Sequence, residues 1–165
     1  METAAFREGI PSGVAAGAGE NVEDTVSVHI GGSKRTDPNA IADFRNNFVY
    51  NVSGATNLAN CRVNLIENYY KPGPNTPQGQ LPISTKTENP GACRAFLAGN
   101  VFAGREDLTA DNFAAIDVTR WSKGNYLAVT LDQIRSTHEF DVGAARPQTQ
   151  PPENAMALVL AHAGA

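Results

Sequence analysis

Eight residues of this chain nearly repeat: CRVNLIEN at 61–68 returns as CRAFLAGN at 93–100, 32 residues later. An earlier stretch, AIADFRNN at 40–47, falls into the same register 21 residues before the first. In that alignment Asn47, Asn68 and Asn100 coincide, and the positions three, five and seven residues before them are apolar in every copy. These are Phe44, Leu65 and Leu97, then Ala42, Val63 and Ala95, then Ala40, Cys61 and Cys93. Between them lies a more polar set: Ile41, Arg62 and Arg94; Asp43, Asn64 and Phe96; Arg45, Ile66 and Ala98. A period of two describes a short strand with one face on a core.

Each asparagine is followed by two large apolar residues, Phe48 and Val49, Tyr69 and Tyr70, or Val101 and Phe102. The pattern predicts a second strand after a tight bend. Asparagine suits the bend because it tolerates left-handed backbone angles and its amide can bond neighbouring backbone groups. Stacked bends would link those amides into a ladder. Units of this length cannot bury a face alone and must stack on one another. Strand, bend, strand and loop, repeated, reads as a parallel β-helix. The competing reading is three strands of an ordinary β-protein that share a pattern by chance, and an eight-position match weighs against it.

Other elements are less regular. TVSVHIGG at 25–32 alternates like an earlier strand but lacks the asparagine, and 73–92 is a Pro/Gly-rich loop that lengthens the second spacing. PPENAMALVLAHAG places prolines before a helix-forming run and Gly164 after it, which predicts a short C-terminal helix. Its Met156, Val159 and Leu160 share a face and are expected to cover the C-terminal end of the stack. Residues 1–24 are expected to be disordered, and 25–165 to form one all-β domain, a partial solenoid with that helix.

A formal charge of −4 with 18% charged residues argues against a nucleic-acid partner, which needs a basic face. The N-terminal stretch has no continuous apolar segment of the signal-peptide kind, and no apolar run approaches the length of a membrane span. Cys61 and Cys93 take equivalent inward positions on consecutive copies, close enough for a disulfide. A pair of small buried thiols is the preferred reading. His29, His138 and His162 show no ligand spacing, and no metal is assigned to them. Arg62 and Arg94 are expected to stack on an outward face with Arg45 nearby. Such a ladder can bind an anionic polymer, and equally can be a solvated face, which is the reading favoured by the ladder alone.

At DFRNNFVYN (43–51) and NYYKPGPNT (68–76) the chain resembles the pectate lyases of polysaccharide lyase family 1. The resemblance continues through RAFLAGNVFAG, TADNF and ENAMALVLAHAGA, covering roughly 41–165. It implies a right-handed parallel β-helix, a secreted protein and calcium-assisted β-elimination of polygalacturonate (pectate). It also implies Arg35 as the base, with Lys34 and Arg45 meeting substrate carboxylates. The family's base stands in an Arg-x-Pro motif, whereas two residues separate Arg35 from Pro38 here. The family's calcium carboxylates belong to earlier rungs. Asp37 and Asp43 lie near the motif, and no residue of this chain is assigned as a calcium ligand. The resemblance thus implies the C-terminal portion of a lyase whose full-length form is a monomer. The alternative is a non-catalytic β-helix module that binds acidic polysaccharide. This chain alone is expected to associate through the strand edge near Val26–Ile30.

Overall fold

The fold is that of a computed structural model, which describes residues 29–30, 41–52, 56–120, 126–143 and 147–162. It is mostly β, with few helices. The strands are β1 (His29–Ile30), β2 (Ile41–Arg45), β3 (Phe48–Tyr50), β4 (Thr56–Leu58), β5 (Arg62–Ile66), β6 (Tyr69–Lys71), β7 (Ile83–Thr85), β8 (Arg94–Ala98), β9 (Val101–Phe102) and β10 (Ile116–Asp117). They form three sheets of parallel strands, ordered β1-β4-β7-β10, β2-β5-β8 and β3-β6-β9. The chain visits the three sheets in turn and then returns to the first, stacking each strand on its counterpart. Stacked parallel strands of this kind fit a β-helix.

The sequence alignment is the structural register. Ile41 pairs with Arg62 and Arg62 with Arg94; Phe44 pairs with Leu65 and Leu65 with Leu97. Val63, Leu65 and Ala95 are fully buried, Leu97 nearly so, and Ala42 and Phe44 pack against the same core. The β3-β6-β9 sheet adds Val49, Tyr70 and Phe102, with the rings of Tyr70 and Phe102 stacked at 4.9 Å. Burying each large side chain contributes about 1.5–3 kcal/mol. Cys61 and Cys93 are buried free thiols. Burial pushes the Cys93 thiol up to about 12, helped by the neighbouring Cys61, and raises Cys61 as well.

The amide ladder runs along the bend. Asn47 Nδ2 donates to Asn68 Oδ1 at 3.0 Å, and Asn68 Nδ2 donates to Asn100 Oδ1 at 2.9 Å. Each acceptor also takes the backbone N–H of the asparagine stacked on it, from Asn47 at 3.0 Å and from Asn68 at 3.1 Å. Asn112, which the alignment misses, is the next rung: its Oδ1 accepts from Asn100 N at 2.9 Å and Nδ2 at 3.0 Å. The left-handed backbone sits one residue earlier than expected, at Asn46 (φ 50°), Glu67 (φ 53°) and Gly99 (φ 63°). The turn and the ladder are therefore separate tasks. One residue reverses the chain, and the next turns its amide inward along the stack.

Two further expectations give way. The C-terminal helix α3 (Pro152–His162) lies along β3 and β6 rather than over the C-terminal end, and Leu160 is exposed while Pro152 and Ala155 are buried. That end is instead covered by helix α1 (Glu106–Ala110) and a 3-10 turn at Asn112–Ala115, which bury Leu108 and Phe113. Helix α2 (Leu131–Ile134), started by a Thr130–Gln133 capping box, adds the buried Ile134. Residues 1–24, and Val26–Val28 of the expected edge, lie outside the described residues.

Candidate functional site

Alternation along β2 and β5 should leave Asp43, Arg45, Asn64 and Ile66 facing outward. Asn64 is nevertheless fully buried, and Arg45 is 4% exposed. The cause is the segment after α2. Arg135 bridges to Ala95 on β8, and Ser136 N donates to Ala95 O at 2.8 Å. The chain then crosses to β5, where Asn64 and Phe140 exchange two hydrogen bonds, Nδ2 to O and N to Oδ1, both at 2.9 Å. It reaches the first bend at Gln150, whose N–H donates to Asn46 Oδ1 at 3.0 Å while Asn46 Nδ2 donates to its carbonyl at 2.6 Å. Each asparagine side chain pairs with the crossing backbone much as another strand would.

Within this crossing Arg45 is held between two acids. Its Nε donates to Asp43 Oδ2 at 2.6 Å, and its Nη2 donates to Glu139 Oε1. Burial works against the charge on Arg45, but the hydrogen bonds and charges of Asp43 and Glu139 outweigh it and hold the guanidinium above its ordinary pKa. Among the described residues, Arg45 Nη1 and Asp43 Oδ1 are buried and find no hydrogen-bond partner. Arg45 is thus no part of a solvated ladder, and it could meet a substrate carboxylate only after Glu139 had left it. Lys34, Arg35 and Asp37 lie outside the described residues. Arg62 and Arg94 are direct register partners as expected, yet their head groups meet different partners. Arg62 lies 5.8 Å from the Phe140 ring centroid, and Arg94 Nη2 donates to Arg135 O at 2.9 Å.

Glu139 and Phe140 were not legible as site residues, because a crossing strand-like segment carries no repeat and meets the sheet through isolated side chains. A shallow depression of about 280 Å³ lies elsewhere, at the C-terminal end, lined by Gly99, Asp111, Phe113 and Arg135 among others. Its charged groups are engaged: Asp111 accepts from Phe113 N at 3.1 Å, and Arg135 stacks over the Phe113 ring at 4.0 Å.

The described residues do not fit calcium. That ion takes six to eight oxygen ligands in a typical site. Asp43 and Glu139 have the guanidinium of Arg45 between them, and no group of three or more acids, histidines or cysteines suited to a metal occurs among the described residues. No helix there is long and apolar enough to cross a membrane. No protein-family model matches the chain, and no curated protein matches it.

Proposed function

We propose that this chain is a pectate-lyase-like right-handed parallel β-helix that cleaves polygalacturonate by β-elimination. The observation that supports this reading most is the asparagine ladder running into the Asn-Tyr-Tyr-Lys-Pro-Gly-Pro string. Asn68 is the ladder's second member, and Tyr69–Lys71 form the strand that follows it. The ladder follows from hydrogen-bond chemistry and the string from the family resemblance, so the two lines of support are independent.

In this reading Arg35, freed of its proton, takes the C5 proton of a uronate. The electron pair forms the C4–C5 double bond, the C4–O bond breaks, and the departing oxygen takes a proton from water. Arginine needs strong local help for this role, since its pKa lies above 12 in water. Lys34 holds the substrate carboxylate, joined by Arg45 if Glu139 withdraws. A second reading, a non-catalytic module that binds acidic polysaccharide, is favoured by one observation: Arg45 is already committed to Asp43 and Glu139.

The test is absorbance of unsaturated uronate released from polygalacturonate, measured with and without added calcium. The lyase reading expects a signal that Arg35→Ala abolishes while the circular dichroism spectrum is kept. Absence of signal in every condition overturns it and leaves the binding module.

A further inference from the structure

Sheet β3-β6-β9 carries a second surface, on the part of its outward face that α3 leaves exposed. Val49 and Tyr70 point into the core, so Phe48 and Tyr50 on β3, and Tyr69 and Lys71 on β6, share the opposite face. Phe48 and Tyr69 are half-buried there, with ring centroids 6.1 Å apart. Tyr50 is 46% exposed, and its ring lies within 13° of parallel to that of Phe48, centroids 6.0 Å apart. Its register partner on the next strand is Lys71, which is exposed and makes no salt bridge among the described residues.

The backbone beneath this pair is held in place. Asn51 turns the chain directly after Tyr50 with φ 52°, and its N–H donates to Lys71 O at 3.2 Å. Asn51 Oδ1 accepts from Asn75 N at 2.8 Å, and Gly73 N donates to Thr76 Oγ1 at 3.0 Å. Gly73 packs so closely on Asn51 that a β-carbon there would collide with the Asn51 side chain. The backbone that presents this exposed ring and exposed cation on neighbouring strands is thus ordered before any ligand binds.

We propose that Tyr50 and Lys71 form a binding platform for acidic polysaccharide. The face of a pyranose ring is a patch of C–H groups, which stacks on an aromatic face, and a uronate adds a carboxylate within reach of an ammonium. A chain of net charge −4 repels a polyanion overall, so an unpaired local cation is what such a ligand requires. A neutral glycan would use the ring and ignore the lysine. This inference rests on the acidic-polysaccharide class named above, but it does not need the chain to be a lyase.

Affinity electrophoresis through gels containing polygalacturonate or dextran, run with a chelator present, tests it. The wild-type protein should be retarded by polygalacturonate and little by dextran. Tyr50→Ala should weaken retardation about fivefold, with Tyr50→Phe close to wild type. Lys71→Gln should weaken it about threefold and narrow the preference for the charged polymer. Tyr50→Phe keeps the stack on Phe48 and Lys71 is exposed, so unchanged melting temperatures are expected of Tyr50→Phe and Lys71→Gln. Tyr50→Ala loses the stack and should melt slightly lower, still in one cooperative transition, which separates lost binding from lost folding. Wild-type migration unaffected by polygalacturonate, or retardation equal in wild type, Tyr50→Ala and Lys71→Gln, overturns the platform. The uronate absorbance assay reads the lyase proposal separately, so either can fail while the other stands.

Discussion

Asn68 shows how much one side chain does in a stacked fold. Its Oδ1 accepts from the backbone and side chain of Asn47, and its Nδ2 donates to Asn100 Oδ1 and to Phe44 O at 2.9 Å. Asn68→Ala would strand several buried polar groups at once, each costing about 1–3 kcal/mol. Allowing for relaxation, a loss of about 3 kcal/mol is expected in urea denaturation, and a change below about 0.5 kcal/mol would show that the ladder is incidental. Glu67, one residue earlier, is a misfit of the opposite kind. A non-glycine residue in the left-handed region costs roughly 1 kcal/mol, and Gly99 occupies the same place one rung later. Glu67→Gly should therefore be tolerated or mildly stabilising in the same experiment. Burial, and then the charge of Glu153, raise the Glu67 pKa. A raised carboxylate pKa means that the folded state binds the proton more tightly than the unfolded state. Stability therefore falls as pH rises from the ordinary glutamate pKa through the raised one. Glu67→Gln should flatten that slope in melting curves taken across the acid range, and an unchanged slope would assign it to another group.

Strands β2, β5 and β8 were legible in the sequence because two signals coincide in each: period-two burial and an asparagine at a constant offset. The bend was legible in kind but displaced by one, since asparagine has two talents and only the hydrogen bonding is used at Asn47, Asn68 and Asn100. Strands β4 and β7 are three residues long, and β10 only two, too short to show a period, whereas β1 falls inside the alternating stretch at 25–32. The crossing segment was invisible for a different reason. Nothing local to Asn64 or Asn46 says that backbone 76 residues away in the first case, and 104 in the second, will pair with it. Of the candidate site, only Arg45 could be located, and its partner Glu139 is 94 residues distant. The crossing makes its own prediction. Glu139→Ala leaves Arg45 with one acid, and breaking a buried pair costs about 3–5 kcal/mol in full. The remaining contact with Asp43 should reduce this to about 2 kcal/mol. Hydrogen exchange at the Phe140 amide, which donates to Asn64 Oδ1, should accelerate in that variant. Continued protection would mean that the asparagine pairs hold the segment without the ion pair.

At the scale of the whole molecule the two ends of the stack differ. The C-terminal side is closed by Leu108, Phe113 and Ile134, by Asn112 completing the ladder, and by the Arg135 bridge on β8. On the other side β1, β2 and β3 are the terminal strands of their sheets among the described residues. A terminal strand offers a row of backbone donors and acceptors to any chain that can pair with it. The segment from Ile41 to Tyr50 is rich in β-branched and aromatic residues, which suits such pairing. The 165-residue chain is therefore expected to self-associate as its concentration rises, with the added order growing from β2 and β3. Light scattering over a wide concentration range reads this directly. Ile41→Lys, which puts a charge on the first residue of β2, should suppress association without lowering stability by more than about 1 kcal/mol, because Ile41 is only half-buried. A compact monomer at every concentration would place a cover over β2 and β3, and residues 1–40 would be the segment to truncate next.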